Sequence, residues 1–508
     1  MRRTHSLVLT AVLASSVALP QAAVDWPSYG GDARRTGWER SDTRITKDNV
    51  KDFRLVLKRK LEGTATGPYT STAPVIIGRL ISYRGFKELG FVSNNAGDLW
   101  SIDVDLNRVF WKKRYPAASN GACAEIASAP ALTPPAVFGR RRPTSGAKPG
   151  GTNSPSPGLP PTTAGRTTER PTASRVVAAG FGGPRPVYVV TSDGKLHQVN
   201  TSDGSDQFPP LAFLPGGAKP SPLTLHDNVI YTTVSGKCGS TKAAVYAMDL
   251  ADEEPRVSSF PLEGGDPMGP GGFALGNDGT VYVQTEAKLA ALTPRDLKLK
   301  GAFPAPAAAP KSAPELNATT PLVFDLEGRD MVVSAGRDGR LYLLDSQAIG
   351  DEQKAVLSRT APVASAGGGI WGGLSSWEDA DGVRWVAAPV WGAVNPELKL
   401  SGSNGAASNG SIVAFRVEEQ GGKPVLTPAW VSRDLNSPVP PVITTGVVFA
   451  LSTGGSNAVL YALDAATGKE MYSTGSQVTG RGSLTGLTLA NSRVFFTTVD
   501  GTLYGFGI

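Results

Sequence analysis

The sequence predicts an all-β fold, an eight-bladed β-propeller of four-stranded antiparallel blades. Its 508 residues include 60 Gly and 40 Pro, and only 19% are charged. This composition is rich in turn formers and poor in the surface charge that helices carry. A short strand pattern also recurs at a spacing of roughly 45–50 residues, which is typical of propeller blades, including those of WD40-like repeats.

Eight copies of this strand pattern follow one another along the chain. The clearest is Leu460–Asp464, which leads into an Asp-Ala-Ala-Thr-Gly turn. The eight copies begin at Leu99, Leu196, Val245, Leu289, Leu341, Ile412, Leu460 and Leu503. Asp-Gly or Asn-Gly pairs, which two-residue hairpin turns prefer, precede four of them. Because each of these pairs stands at the same distance before its strand, we predict that each copy is the third strand of a blade.

The two ends of the chain are predicted to complete one blade together. The eighth copy is followed only by Ile508, so its blade lacks a fourth strand. Phe53–Leu61 alternates apolar and polar residues like an edge strand and precedes the first full repeat. We therefore expect this segment to pair beside the C-terminal strand and close the ring, which removes exposed sheet edges.

Two segments are predicted to lie outside the packed blades. Residues 1–23 combine Arg2-Arg3, a short apolar run and small residues at the end, which is the pattern of a signal peptide. We therefore expect a periplasmic or secreted protein with a single propeller domain over 24–508 and no transmembrane segment. Residues from about 134 to 174 are rich in Pro, Gly, Thr and Arg, and we expect them to be a disordered insertion.

Charge and cysteine content exclude few function classes. A formal net charge of +6 is mild for this length and does not predict binding to nucleic acid. Cys123 and Cys238 are the two cysteines, and both fall in predicted loops of neighbouring blades. A disulfide between them is a candidate in an exported protein, with two unrelated thiols as the alternative. We expect a monomer.

No short motif in the sequence predicts a common hydrolytic or zinc site. The three histidines have no zinc-site spacing, and no nucleophile-elbow pattern is present. Asp379–Gly382 lacks the distal Glu of an EF-hand loop, so we interpret it as a hairpin turn.

The repeat resembles that of pyrroloquinoline quinone (PQQ) propellers, the quinoprotein alcohol dehydrogenase-like family. Leu460–Lys469 reads L-Y-A-L-D-A-A-T-G-K, and 26–38 begins W-P-S-Y-G-G-D and ends R-T-G-W. The resemblance covers nearly the whole predicted mature chain and implies an eight-bladed propeller. Trp111 and Trp430 fall near the Trp that ends the blade motif of the family.

The resemblance implies two kinds of function. Catalytic members bind PQQ and use a vicinal Cys-Cys disulfide, a calcium held by Glu and Asn, and a catalytic Asp. Other members, such as outer-membrane assembly propellers, are not catalytic. Where the family has two cysteines this chain has Cys123-Ala124-Glu125, and the Asn and Asp of the calcium site have no match. We therefore predict a ligand- or protein-binding scaffold, with a PQQ- and calcium-dependent dehydrogenase of alcohols or sugars as the alternative.

The predicted binding site is the central funnel, which the starts of the innermost strands line. Four of the nine tryptophans lie in Ile370–Trp391, and Trp371 is predicted to start an innermost strand. Its flat face suits stacking on a sugar ring or a quinone, with blade packing as the alternative. The funnel-lining candidates by repeat register are Tyr69, Glu125, Lys219, Met268, Asn317, Trp371, Asn436 and Arg481.

Overall fold

Eight antiparallel sheets form the blades of a propeller, as predicted. A computed structural model describes residues 24–61, 71–82, 85–115, 130–132, 185–236, 241–251, 254–307, 313, 315–317 and 319–508. The predicted signal peptide, the predicted insertion at about 134–174 and the candidates Tyr69, Cys123, Glu125 and Cys238 lie outside these residues.

Each blade contains four main strands, and blades 3 and 6 contain additional short ones. β1 (Arg54–Lys60) comes first in the chain and belongs to blade 8. Blade 1 contains β2 (Val75–Ser82), β3 (Gly85–Ser93), β4 (Asp98–Asp103) and β5 (Arg108–Arg114). Blade 2 contains β6 (Ala131–Leu132), β7 (Val187–Val190), β8 (Lys195–Val199) and β9 (Leu211–Ala212). Blade 3 contains β10 (Lys219–Pro220), β11 (Thr224–His226), β12 (Val229–Ser235), β13 (Ala244–Asp249) and β14 (Arg256–Pro261).

The remaining blades follow the same order of strands from the axis outwards. Blade 4 contains β15 (Phe273–Leu275), β16 (Val281–Gln284), β17 (Lys288–Leu292) and β18 (Leu299–Pro304). Blade 5 contains β19 (Leu322–Leu326), β20 (Arg329–Ala335), β21 (Leu341–Asp345) and β22 (Val356–Arg359). Blade 6 contains β23 (Gly369–Ile370), β24 (Ser375–Glu378), β25 (Arg384–Trp391), β26 (Gly402–Ser403), β27 (Gly410–Gln420) and β28 (Lys423–Val431).

Blades 7 and 8 complete the ring. Blade 7 contains β29 (Val442–Thr444), β30 (Val447–Ser452), β31 (Val459–Asp464) and β32 (Glu470–Ser473). Blade 8 contains β33 (Thr488–Ala490), β34 (Arg493–Thr497), β35 (Thr502–Gly507) and β1. Helical structure among the described residues is confined to a 3-10 turn at Val50–Asp52 and α1 (Glu352–Ala355).

The eight predicted repeat strands are the third strands of the eight blades, as predicted. In blade 7 the repeat strand is β31, between β30 and β32. The Asp464–Gly468 turn that follows β31 forms as its sequence predicts. The Asp464 carboxylate accepts hydrogen bonds from the amides of Ala466 and Thr467 at 2.9 and 3.0 Å, and Gly468 adopts a φ of +72°.

The N-terminal strand closes the ring, as predicted. β1 pairs antiparallel with β35, with Arg54 opposite Gly507 and Lys60 opposite Thr502. Its buried side is held by apolar contacts, because Leu57 is buried and Phe53 stacks on Phe449 of blade 7 at 5.2 Å. The last blade is therefore built from both ends of the described chain.

Tryptophans on outer strands help to fix neighbouring blades to each other. Trp111 on β5 donates its indole N–H to the carbonyl of Thr201 in blade 2, at 2.9 Å. Trp430 on β28 donates to the carbonyl of Ala465 in blade 7, at 3.0 Å. A Cβ atom on Gly468 would lie 2.3 Å from the Trp430 ring, so the repeat turn needs glycine at this position for packing as well as for its φ.

Residues 24–42 follow the inner strands around the axis, a role that the sequence did not predict. Backbone hydrogen bonds join this segment in turn to blades 1, 2, 4, 5, 6 and 7. Its last part reaches blade 8, where Ser492 donates to the Asp42 carboxylate at 2.8 Å. The segment therefore brings Tyr29 and Arg35 into the centre of the ring, where both line small cavities.

Candidate ligand site at the inner ends of blades 3 to 6

A cavity of about 660 Å³, here called the funnel cavity, lies at the inner ends of blades 3 to 6. The cavity is formed in part by the loops that lead into the inner strands of blades 4 and 5, and in part by the turn between β16 and β17. The cavity therefore opens on one face of the ring near the axis. Its lining consists of Gly236, Ala243, Leu262, Gly265, Asp266, Pro267, Met268, Gly269, Pro270, Glu286, Glu315, Trp371 and Gly372.

Trp371 forms a fixed apolar wall of the funnel cavity. Its ring stacks on Trp391 with centroids 5.2 Å apart and planes 3° apart. Trp391 is held in turn, because its indole N–H donates to the carbonyl of Pro438 at 2.8 Å. Trp371 is only 9% exposed, so a small part of its surface, already fixed by the stacking, borders the cavity, and Met268 and Leu262 extend this apolar wall.

The loops around the cavity approach each other closely at a glycine. Gly269 has a φ of +71°, and a Cβ atom there would lie 2.1 Å from the amide nitrogen of Thr320 and 2.3 Å from the carbonyl oxygen of Gly372. Any side chain at this position would push the blade 4 loop away from the loops of blades 5 and 6. The shape of the cavity therefore depends on glycine at this point.

Carboxylates are the charged groups that the described residues bring to the cavity. Asp266 accepts a hydrogen bond from the amide of Gly236 at 2.6 Å, which fixes its position. Glu286 and Glu315 are exposed. Lys, Arg and His are all missing from the described lining, so the formal charge of its described side chains is negative.

The six predicted funnel residues that the structure describes divide into three groups. Met268 and Trp371 line the cavity. Asn317 lies behind it, with a φ of +57°, and its side-chain oxygen accepts from the amide of Ile370 at 2.9 Å, which positions the residue before Trp371. Lys219 on β10, Asn436 and Arg481 are exposed and lie outside the lining.

The register of the inner strands differs from the prediction. The regular inner strands of blades 4, 5, 7 and 8 begin at Phe273, Leu322, Val442 and Thr488, several residues after the predicted starts. The predicted residues instead lie in the loops that approach these strands; Met268, for example, donates its amide to the carbonyl of Gln284 on the second strand of its blade. Sequence reasoning missed Asp266, Glu286 and Glu315, because their signal is only that of polar loop residues.

Trp377 and Trp385, the other two tryptophans of the 370–391 segment, are packing residues. Trp377 and Trp385 stack with centroids 5.5 Å apart, and both are buried in the cluster between blades 6 and 7. The nearby Asp379–Gly382 segment is a hairpin turn, as predicted, with Gly382 at a φ of +80° and donating to the carbonyl of Asp379. Within the part of the chain that the structure describes, no group of three or more His, Cys, Asp or Glu residues could hold a metal ion.

Comparison with known proteins agrees with the fold. A family model described as outer membrane protein assembly factor BamB matches residues 408–508. Two similar solved structures are a quinohemoprotein alcohol dehydrogenase from Comamonas testosteroni (15% identity, TM-score 0.53) and a europium-containing methanol dehydrogenase (13% identity, TM-score 0.56). Each covers 95% of this chain, which in turn covers 80% and 98% of theirs. No curated protein matches the chain in sequence.

Identities this low show the fold and not the activity. No helix among the described residues is long and apolar enough to span a membrane. The eight-bladed propeller architecture is that of these two solved structures, and the repeats at residues 408–508 match the BamB family model.

Proposed function

We propose that this chain is an exported binding propeller and that its funnel cavity binds a positively charged group attached to an apolar or aromatic body. The observation that carries the proposal is the pairing of an aromatic wall with three carboxylates and no basic residue in the described lining. Export rests on the predicted signal peptide at 1–23. The ligand group is an ammonium or guanidinium, either in a free amine or in a Lys or Arg side chain of a partner protein.

Two interactions favour such a group. A cation over the face of a tryptophan gains about 0.5–2 kcal/mol, depending on how far it is desolvated. Glu286 and Glu315 are exposed, so they attract the cation from solution and their effect decreases with salt. Because the Trp371 ring is already fixed by Trp391 and Pro438, little side-chain entropy is lost on binding.

The alternative, a PQQ- and calcium-dependent dehydrogenase, fits the described residues poorly. PQQ is itself a polycarboxylate, and the lining offers it further carboxylates instead of basic partners. Burying like charges together without counter-ions is unfavourable. Calcium takes oxygen ligands, with carboxylates prominent among them, and the described residues contain no group of three or more His, Cys, Asp or Glu side chains that could hold a metal ion.

A calorimetric titration with matched ligands tests the proposal. Phenethylammonium and 3-phenylpropionate have similar apolar bodies and opposite charges, and an arginine-containing peptide represents a partner protein. We expect saturable binding of the cations, weaker binding at high salt and no binding of the anion. Arg481→Ala, at an exposed residue outside the lining, is the control and leaves binding unchanged.

PQQ with Ca²⁺ is the competing probe. Cofactor absorbance that remains with the protein after gel filtration, together with dye reduction in the presence of an alcohol, would overturn the proposal in favour of the dehydrogenase. Tighter binding of the peptide than of the free amine would identify a protein as the natural partner, and the reverse order would identify a small molecule.

A further inference from the structure

A second cavity, here called the channel cavity, lies beside the N-terminal segment in the centre of the ring. Its volume is about 200 Å³, and of its lining residues only Pro270 also lines the funnel cavity. The lining is formed by Trp26, Tyr29, Thr72, Ala73, Pro74, Val75, Pro220, Pro222, Pro270, Leu484, Thr485, Leu487 and Thr488. The two cavities are therefore neighbours with different walls.

Among the described residues, no charged side chain is part of this lining. Trp26 is buried and fixed, because its amide and carbonyl both bond to Ile76 of blade 1, at 2.9 and 3.0 Å. Four prolines add rigid apolar surface. Leu484 is 38% exposed, so the cavity has an opening to solvent at that residue. An uncompensated charge would be costly here, which favours a neutral ligand.

Tyr29 supplies an unused hydrogen-bond donor. Its hydroxyl oxygen is buried and has no hydrogen-bond partner among the described residues. Burial raises the pKa of the Tyr29 hydroxyl above its ordinary value, which keeps the O–H protonated. Buried polar groups normally have partners, so this donor in the wall of a cavity is available to an acceptor bound there.

The Tyr29 side chain is held in place by Arg35. The Arg35 guanidinium lies 5.8 Å from the Tyr29 ring centroid and donates to the Tyr29 carbonyl at 2.6 Å. It also donates to the carbonyl of Phe273 at 2.9 Å, which ties the segment to blade 4. A space of about 20 Å³ on another side of Tyr29 has room for one water, which is the competing partner for the hydroxyl.

We propose that the channel cavity is a binding site for a small neutral ring-shaped ligand with one hydrogen-bond acceptor, to which the Tyr29 hydroxyl donates a hydrogen bond. The volume suits a monocyclic compound with a carbonyl or ether oxygen. This site is independent of the cationic ligand proposed for the funnel cavity, because the two differ in lining and in charge.

Trp26 is part of the wall, so its fluorescence can report on binding to the full chain. The probes are cyclohexanone, methylenecyclohexane, which has a similar shape without an acceptor, and cyclohexylammonium, which carries a charge. We expect cyclohexanone to bind best and cyclohexylammonium to leave this site empty. Tyr29→Phe should weaken cyclohexanone about threefold to tenfold, to the level of methylenecyclohexane, since it removes one hydrogen bond and little volume.

Two further variants complete the test. Glu286→Gln in the funnel cavity must leave cyclohexanone binding unchanged. Leu484→Trp narrows the opening of the channel cavity and should abolish cyclohexanone binding. This variant tests the proposed site if Tyr29→Phe does not fold. Equal affinity of wild type and Tyr29→Phe for cyclohexanone would show that water alone partners the hydroxyl and would overturn the proposal, as would the absence of saturable binding to the wild type.

Discussion

Blade 6 contains two stacked pairs of tryptophans, and only one pair borders a cavity. Trp377 and Trp385 lie opposite each other on β24 and β25 and are fully enclosed between blades 6 and 7. Trp371 and Trp391 stack in nearly the same way at the inner end of the same sheet, where Trp371 lines the funnel cavity. Stacking geometry alone therefore does not distinguish a packing residue from a binding residue.

Position along the strand makes the difference. Trp385 and Trp391 are an even number of residues apart on β25, so both point to the same face of the sheet. Trp385 lies near the start of β25, where blade 7 covers it, whereas Trp391 is the last residue of the strand and stacks on Trp371, which borders the funnel cavity. We therefore expect the enclosed pair, Trp377 and Trp385, to determine the stability of the fold, and Trp371 and Trp391 to determine ligand binding.

The largest effect is expected from Trp385→Ala. Removal of a fully buried indole leaves a void between blades 6 and 7, which costs about 3–5 kcal/mol of unfolding free energy. Urea unfolding followed by circular dichroism measures it. A loss below about 1 kcal/mol would mean that the pair contributes little to the packing of the two blades.

Trp371→Ala should have a smaller effect on stability and a larger one on binding. Because one side of the ring faces a cavity, we expect a loss of about 1–3 kcal/mol in unfolding free energy. The affinity for phenethylammonium should fall roughly threefold to thirtyfold, as expected for a lost cation–π contact. Trp385→Phe keeps a ring in the enclosed pair and is the matched control, which should bind the amine like the wild type.

Asp379→Asn tests what orients the enclosed pair. The Trp385 indole N–H donates to the Asp379 carboxylate at 2.8 Å, and other oxygen contacts of this side chain cap the hairpin turn. Replacement by an amide weakens a charge-assisted bond, and we expect a loss of about 0.5–1.5 kcal/mol in urea unfolding. Reduced binding of phenethylammonium by this variant would contradict the expectation that the enclosed pair affects stability and not binding.

The smallest effects are expected from Glu286→Gln and Glu315→Gln. Both carboxylates are exposed, so each should contribute only about 0.2–1 kcal/mol to binding of the amine, and the double variant should bind with a weaker dependence on salt. Glu263→Gln, at an exposed residue outside the lining, is the control. Calorimetry at two salt concentrations measures the difference; an unchanged salt dependence would exclude the carboxylates as the source of attraction.

The repeat pattern predicted much of the fold because it is local. The third strands, the Asp464–Gly468 turn and the closing strand β1 depend on side-chain alternation and turn chemistry within a few residues.

The rest could not be predicted, because it depends on contacts between distant blades. Asp266, Glu286 and Glu315 come from separate loops and meet only after the ring has closed. Tyr29 reaches the centre because residues 24–42 follow the inner strands, and nothing in the local pattern of this segment indicates that path. Asn436 and Arg481 lie outside the lining, since they belong to blades 7 and 8 and the cavity lies at the inner ends of blades 3 to 6.

The central claim is that the face of Trp371 at the funnel cavity receives a cationic group. Fluorine NMR of protein labelled with 5-fluorotryptophan tests it directly, with the nine resonances assigned by single Trp→Phe variants. On titration with phenethylammonium, the account predicts shifts at Trp371 and its stacking partner Trp391, none at Trp377 and Trp385, and none at all with 3-phenylpropionate. Unchanged Trp371 and Trp391 resonances at saturating amine, or equal shifts with the anion, would contradict it.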